Sequence, residues 1–341
     1  MKIRINTISV FAVCIMLLCG VSCAGQKESI GVMFYNVENL FDTINSPNTI
    51  DEEFTPDSKK EWNTERYQTK LNHLALVIAS MGSPSIVGLA EVENKNVLED
   101  LIKQNAIKNA GYAIVHFDSP DERGIDVALL YKKDIITIID SKPIYVRLPD
   151  NNGGATRDIL FVQVKLKQTK KDIYIFVNHW PSRSGGSVET KMRRAIAANT
   201  LKNTIDSLNA KLTDPAIIIM GDFNDTPSDE SITEVLQTNK LRSNYCDECL
   251  VNLMTDIEQA NEGSYFYDGG WQVLDQFIVS EVLLQNAKPY VQTKSAQIVK
   301  NDFQLYNNKK YGYLPNRTYS GEMYHGGYSD HFPIYMEMQV R

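Results

Sequence analysis

The sequence predicts one layered α/β domain, and two observations indicate this fold class. Short apolar runs typical of strands recur along the chain, with helical patterns between several of them. Many of these runs are apolar at successive positions, as strands buried on both faces should be. The residues from 31 to 341 therefore suit one large domain of packed sheets and helices.

Strands and helices can be placed from the spacing of apolar residues. In chain order, the strand-like runs are SIGVMFYN, SIVGLAEV, YAIVHF, DVALLY, ILFVQVKL, DIYIFVNH, AIIIMGDF, VLDQFIVS and a short last one from Ile334 to Met338. Helical spacing relates Leu71, Leu74, Ile78 and Met81 in one segment, and Met192, Ile196, Leu201, Ile205 and Leu208 in another. Two stretches, 45–63 and most of 296–328, are predicted to be loops.

The N-terminal segment MKIRINTISVFAVCIMLLCGVSC has the pattern of an export signal. Two cations precede an apolar run from Ile8 to Leu18, which is too short for a permanent membrane anchor. The residues before Cys23 resemble a bacterial lipobox, so we expect a lipid anchor on Cys23; the alternative is cleavage after Ala24 and release. The protein is then an outer-membrane or periplasmic lipoprotein, or a secreted protein. The predicted organisation is a signal over 1–23, a linker over 24–30 and a domain over 31–341.

The net charge of the protein limits how it can bind nucleic acid. The formal net charge of −7 gives little general attraction to nucleic acid, so such a substrate must be bound locally by a few cations or a metal.

Three of the five cysteines lie in the N-terminal segment. The remaining pair, Cys246 and Cys249, is expected to be a local disulfide or two unpaired thiols in an exported protein. We expect a monomer.

Polar side chains recur where the predicted strands end. Because a buried carboxylate is costly unless it is paired or binds a metal, such strand ends gathered in space predict an acidic site with two histidines. The residues concerned are Asn36 and Glu38, Glu91 and Glu93, Asn178, His179 and Arg183, Asp222, Asn224 and Asp225, Asp275 within its strand, and Asp330 and His331 before the last strand.

The residue types predict hydrolysis at phosphorus. Carboxylates are the ligands that Mg²⁺, Mn²⁺ and Ca²⁺ prefer, and His179 and His331 suit proton transfer near neutral pH. Metal, amide donors and an imidazole base together activate water for attack on a phosphate ester. A dedicated calcium-binding loop starting at Asp222 is excluded, because Pro227 and Thr233 occupy the positions that need Gly and Glu. The carboxylates available as hard ligands are Glu38, Glu91, Asp222 and Asp330.

Six blocks in order resemble the endonuclease/exonuclease/phosphatase superfamily, which includes DNase I-like nucleases, neutral sphingomyelinases and inositol polyphosphate 5-phosphatases. They are FYNVENLFD, IVGLAEVEN, VNHWPSR, IIMGDFND, VLDQFIVS and YSDHFPIY, and they extend over about 31 to 338. The combination of NVENLFD with VNHWPSR resembles a secreted bacterial branch. The resemblance implies a four-layer α/β sandwich, in which two packed, mostly antiparallel sheets are flanked by helices and the site lies at one edge.

The resemblance also implies metal-binding roles. Glu91 matches the metal-ligating glutamate, and Asn36 matches the asparagine beside the metal. Glu38 matches a position that is acidic in some branches, where it binds the metal or supports its ligands. Asp330, in the SDH block, approaches the metal. The implied cofactor is Mg²⁺ or Mn²⁺, with Ca²⁺ as an alternative.

Catalytic roles follow from the same blocks. Asp222 assists proton transfer or orients the attacking water, and Asn224 holds the phosphate. His331 contacts the phosphate or acts as general base, and Asp275 orients it. His179 matches a general acid acting on the leaving oxygen, although branches of the superfamily differ in which histidine is acid and which is base.

Some residues keep two interpretations. Arg157 and Arg183 are expected to grip phosphate, with ordinary salt bridging as the alternative. The tyrosines of the predicted loop, Tyr306, Tyr311, Tyr313, Tyr319, Tyr324 and Tyr328, either stack on bases or pack the loop.

The sequence therefore predicts an exported, divalent-metal-dependent phosphodiesterase, and the main prediction is a nuclease acting on DNA or RNA. The alternatives within the superfamily are a sphingomyelinase-like enzyme and a small-molecule phosphatase. An alternative of another class is an inactive surface lipoprotein that binds polymer, but the retention of both histidines and all core acids argues against it.

Overall fold

A computed structural model of the chain describes residues 29–149, 155–240, 249–285 and 287–340. The predicted export signal, Cys23 and Cys246 lie outside these ranges, while Cys249 is disulfide-bonded. The elements, in chain order, are β1 Ser29–Leu40, α1 Thr64–Ser80, β2 Ile86–Val92, α2 Lys95–Ile102, β3 Tyr112–His116, β4 Asp126–Lys132, β5 Ile136–Ile144, β6 Ile159–Leu166, β7 Asp172–His179, α3 Ser187–Asn209, β8 Ile217–Asp222, β9 Thr238–Lys240, β10 Leu250–Asn252, α4 Thr255–Gln259, β11 Tyr265–Tyr267, β12 Gly270–Gln272, β13 Asp275–Ser280, β14 Tyr290–Ile298, β15 Leu305–Asn308, β16 Gly312–Pro315, β17 Tyr319–Ser320, β18 Met323–Tyr324 and β19 Ile334–Gln339. Short 3₁₀ turns occupy Glu52–Phe54, Glu281–Leu284 and Asp302–Gln304, and a π-helical turn occupies Ser231–Val235.

Two sheets form the centre of the molecule. One has six strands in the order β14-β19-β1-β2-β4-β3, and the other has seven in the order β5-β6-β7-β8-β13-β10-β9. Pairing is antiparallel except between β1 and β2, β7 and β8, and β9 and β10. The prediction of two mostly antiparallel sheets is confirmed.

Apolar residues pack on both faces of each sheet. Val32 and Phe34 of β1 belong to the core between the sheets, together with residues of β6, β7 and β8. Met33 and Tyr35 belong instead to a second cluster with α1 and α2. A third cluster packs α3 against the seven-stranded sheet. This alternation explains why the strands are apolar at successive positions, and it produces the predicted four layers.

All the predicted strands are present, but the sequence missed several others. The stretch 296–328, predicted to be mostly loop, contains the hairpins β15–β16 and β17–β18. These strands are short and lack a period-two apolar pattern, which is why the sequence did not reveal them. Met192, expected on the buried face of α3, is 61% exposed. In the described ranges, no helix has the length and apolar character needed to cross a membrane.

The topology brings the polar strand ends to one edge. Because β1 is parallel to β2 and β7 is parallel to β8, their C-terminal ends meet there in pairs. In the second sheet, His179 pairs with Asp222, and Asp222 pairs with Asp275 at the start of β13. The segment before β19 delivers Asp330 and His331 to the same place, which is the candidate site.

Candidate active site

An amide links the acidic groups of the two sheets. The side chain of Asn36 donates to Glu91 Oε1 over 3.3 Å and to Asp222 Oδ2 over 2.9 Å. The remaining carboxylate oxygens accept backbone N–H groups, from Asn39 to Glu91 Oε2 at 3.0 Å and from Asn224 to Asp222 Oδ1 at 2.9 Å. Both carboxylates are therefore held at defined positions across the join between the sheets.

Two histidines flank this acidic centre. His331 Nδ1 is 2.7 Å from Asp275 Oδ2, and its Nε2 is 3.7 Å from Asp222 Oδ2. His179 Nε2 lies 3.8 Å from both Glu91 Oε1 and Asp222 Oδ2. The predicted orientation of His331 by Asp275 is thus present in the structure, and both imidazoles reach the same carboxylate.

The surroundings of the two histidines shift their pKa values in opposite directions. Burial lowers the pKa of His331, but the charges of Asp275 and Asp222 outweigh it and raise that pKa well above the usual value. Burial and the nearby cation Arg157 lower the pKa of His179 well below it. Such a separation of pKa values distinguishes acid from base roles, because the imidazole with the raised pKa is the charged donor and the other is neutral. It favours His331 as the charged group, which the sequence did not decide.

Glu91 and Asp330 suit a divalent cation. Burial and the charge of Glu91 raise the pKa of Asp330, although the charges of His331 and Arg317 lower it. Its ion pair with Arg317 is long, at 4.0 Å between Nη2 and Oδ2. Both carboxylates line the same cleft, and oxygen ligands of this kind fit Mg²⁺, Mn²⁺ or Ca²⁺. Glu91 and Asp330 would hold the ion, which supplies Lewis acidity and a more acidic bound water.

Glu38 has a different environment. Its carboxylate oxygens accept the backbone N–H groups of Thr318 at 2.6 Å and Tyr319 at 3.1 Å. The ammonium of Lys70, a residue that the sequence did not single out, lies 4.0 Å from Glu38 Oε2. Metal ligation by Glu38 stays a prediction.

The site opens into a cleft of about 890 Å³. The hairpin β11–β12 forms one wall with Tyr265 and Tyr267, and the segment before α3 forms another with Arg183. Asn224, which was predicted to hold phosphate, lines this cleft and donates its side-chain amide to Trp180 O over 3.1 Å. The volume is within the usual range for a pocket that takes a small molecule or one or two nucleotide units.

The sequence from 31 to 340 matches the model of the Endonuclease/Exonuclease/phosphatase family. The chain belongs to this family. It is a phosphoesterase of the endonuclease/exonuclease/phosphatase superfamily, as the motif blocks predicted. No protein of curated function matches the sequence.

Solved structures confirm the fold. An endonuclease/exonuclease/phosphatase family protein from Bacteroides thetaiotaomicron is 17% identical, with a TM-score of 0.58 and coverage of 93% of this chain and 99% of that one. A mannosyl-6-phosphatase from the same species is 18% identical, with a TM-score of 0.56 and coverage of 91% and 99%. TDP2 of D. rerio, complexed with a single-strand DNA product, is 15% identical, with a TM-score of 0.55 and coverage of 92% and 100%. At these identities the likeness shows the fold alone.

The two arginines predicted to grip phosphate are engaged with protein groups in this endonuclease/exonuclease/phosphatase site. Arg157 is buried and donates to Asp121 and to Trp180 O, at 3.0 and 2.6 Å. Arg183 lines the cleft, but it donates to Asp225 and Asp229 at 3.1 and 2.7 Å. Phosphate binding by either arginine stays a prediction.

Several residues that line the cleft were not predicted from the sequence, and Arg123, Tyr265 and Tyr267 are among them. Arg123 is half-exposed there, Tyr265 stacks on His331, and Tyr267 lies beside Tyr265. The signal for the two tyrosines was the aromatic run SYFYDGGW just before the strand of Asp275. By contrast, Tyr311 packs behind this hairpin, 5.1 Å from the ring of Phe266.

Proposed function

We propose that the protein is a divalent-metal-dependent phosphodiesterase that cleaves single-stranded nucleic acid or strand ends. The observation that carries this proposal is the aromatic shelf formed by Tyr265 and Tyr267. The Tyr265 ring stacks on His331 at 4.6 Å, and the Tyr267 ring follows at 6.4 Å and 10° from parallel. Tyr267 is 62% exposed, so its ring can take a base beside the scissile phosphate. The TDP2 structure with a DNA product supports the same substrate class.

The catalytic groups act around this bound phosphate. The charged His331 donates to a phosphate oxygen and stabilises the charge that develops there. Asp222 orients the attacking water and accepts its proton, a role suited to a carboxyl whose pKa burial raises. His179, whose pKa burial lowers, stays neutral beside Glu91 and Asp222.

Recognition of the nucleic acid is local. Arg183 is bound to Asp225 and Asp229. Arg123, whose ion pair with Asp121 is longer at 3.4 Å and whose side chain is 48% exposed, is therefore the more available cation among the residues described along the cleft. The net charge of the protein is also −7. We therefore expect binding to neutralise only a few phosphates of the nucleic acid. Activity should therefore fall only gently as salt rises.

A sugar phosphate is the second candidate substrate. Asp268 and Gln272 also line the cleft beside the tyrosines, and their side chains suit the hydroxyl groups of a sugar better than a second phosphate. The mannosyl-6-phosphatase from Bacteroides thetaiotaomicron supports this alternative.

The test is hydrolysis by the purified protein of single-stranded DNA, duplex DNA, RNA, a hexose 6-phosphate and sphingomyelin, each with and without EDTA. We expect EDTA-sensitive cleavage of single strands. Tyr267→Ala should raise KM about tenfold or more with little change in kcat, because base stacking contributes about 1–3 kcal/mol. The matched control is Tyr313→Ala, since Tyr313 is equally exposed (62%) but does not line the cleft. Rapid hydrolysis of the sugar phosphate with intact nucleic acids would reject the nuclease and leave the phosphoesterase.

We also propose that the protein is exported and anchored by a lipid on Cys23. The support is the N-terminal sequence pattern described above.

A further inference from the structure

Glu38 and Lys70 form a buried ion pair behind the cleft. Lys70 Nζ lies 4.0 Å from Glu38 Oε2, and the two side chains are 0% and 10% exposed. The ammonium also donates to Thr318 Oγ1 over 2.6 Å and to Tyr328 O over 2.8 Å. A buried charge needs such partners, because its removal from water is otherwise very costly. These contacts therefore bind α1 to the segment from Thr318 to Tyr328.

The carboxylate of Glu38 holds the other side of the same segment. Both of its oxygens accept backbone N–H groups, from Thr318 and Tyr319. Glu38 follows directly on the part of β1 that carries Asn36, the residue that links Glu91 and Asp222. The pair thus connects the acidic centre to the chain that leads into Asp330.

Further contacts hold this chain up to the residue before Asp330. His73, one turn after Lys70 on α1, has Nδ1 3.1 Å from Gly327 O, and its ring stacks on Tyr328 at 4.2 Å. Ser329 Oγ donates to Asn36 O over 2.7 Å. Asp330 is therefore fixed from both α1 and β1, and the one buried charge pair in these contacts is Glu38 with Lys70.

We propose that Lys70 and Glu38 are positioning residues, which hold Asp330 in register with Glu91, and that Glu38 is not a metal ligand. This inference rests on the proposed function in one respect, namely that Glu91 and Asp330 bind the divalent ion. It assigns different tasks to the two polar residues near the end of β1. Asn36 orients the carboxylates of the centre, while Glu38 anchors the chain that supplies another carboxylate.

The experiment measures Mn²⁺ binding and thermal unfolding of the full chain for Lys70→Met, Glu38→Gln and the double variant. If the pair positions Asp330, each single variant leaves one group buried without its partner, so both weaken Mn²⁺ binding by about tenfold. The double variant should bind Mn²⁺ no more weakly than the worse single variant, because the two losses are not additive. Lys103→Met, which changes an exposed lysine directly after α2, is the control and should bind Mn²⁺ as the wild type does.

A metal-ligating Glu38 produces the opposite pattern. Lys70→Met would then leave Mn²⁺ binding unchanged or tighten it, because a repelling cation is removed, and the double variant would lose about a hundredfold. Either result overturns the proposal. If Lys70→Met does not fold, Mn²⁺ binding by the double variant is the deciding measurement. A loss of about tenfold supports the proposal, and a loss of about a hundredfold overturns it. Mn²⁺ binding needs no substrate, so a wrong substrate class leaves this test intact, whereas absence of Mn²⁺ binding by the wild type rejects the metal-dependent function itself.

Discussion

Replacing Asp275 with asparagine tests the central electrostatic feature of the site. Asp275 is fully buried, and its Oδ2 lies 2.7 Å from His331 Nδ1. Asparagine has nearly the same shape and can still accept a hydrogen bond from the ring. The substitution therefore removes the charge of the pair while leaving its geometry almost unchanged.

The size of the effect follows from the distances. Two unit charges at 2.7 Å interact by about 6 kcal/mol at an effective dielectric constant of about 20. The neutral hydrogen bond that remains returns about 1 kcal/mol. Asp222, at 3.7 Å from the other ring nitrogen, continues to stabilise the imidazolium. We therefore expect about 5 kcal/mol of lost stabilisation, which is a decrease in kcat of about 10³–10⁴.

The assay is kcat as a function of pH, with the imidazole titration followed by NMR. The charge of Asp275 raises the pKa of His331, so Asp275→Asn lowers that pKa and moves the alkaline limit of activity to lower pH. Ser264→Ala is the control, since it removes the other hydrogen bond to Asp275 Oδ2 and keeps the charge. A kcat within threefold of the wild type, or an unchanged titration of His331, would refute the reasoning.

Three further predictions concern the metal, pH and export. Glu91→Gln should weaken Mn²⁺ binding by about a hundredfold in calorimetry without changing the melting temperature by more than about 2 °C, and EDTA should abolish wild-type activity until Mg²⁺ or Mn²⁺ is restored. Burial raises the pKa of Glu93 to about 7, so the folded state binds an extra proton and loses stability as pH rises from about 4 to about 7. Glu93→Gln should therefore increase the free energy of unfolding in urea by about 1–3 kcal/mol at pH 8 and by much less at pH 5; an equal change at both pH values contradicts this. Cys23→Ser should release the protein from the membrane fraction or leave it unprocessed, whereas a soluble wild type with its N-terminus at Gly25 would exclude the lipid anchor.

The sequence predicted nine of the thirteen strands of the two sheets and the polar residues that gather at their edge, but it missed β5, β9, β10 and β14. The apolar runs had to form buried strands, and polar residues at their ends had to meet where parallel neighbours end together. It was not sufficient for contacts that depend on remote segments. Nothing near Lys70 indicates that its ammonium reaches Thr318, and nothing near Arg157 indicates that Asp121 neutralises it, because each contact is made by tertiary packing.

The backbone conformation at the strand ends is a further reason why the sequence did not reveal the whole site. Glu38, Glu91 and Asn224 all have left-handed backbone conformations, with φ of 51°, 64° and 50°. For a glutamate this conformation costs about 1–3 kcal/mol, and the register of β2 with both of its neighbours shifts around Glu91, as in a bulge. The shift breaks the alternation that would place Glu91 and Glu93 on one face. Glu91 thereby turns to the cleft, while Glu93 accepts hydrogen bonds from Asp42 N and Ser46 Oγ. Glycine would relieve the strain but would delete the carboxylate, so the strained residue is retained where its side chain is required, and no glycine marks the bulge in the sequence.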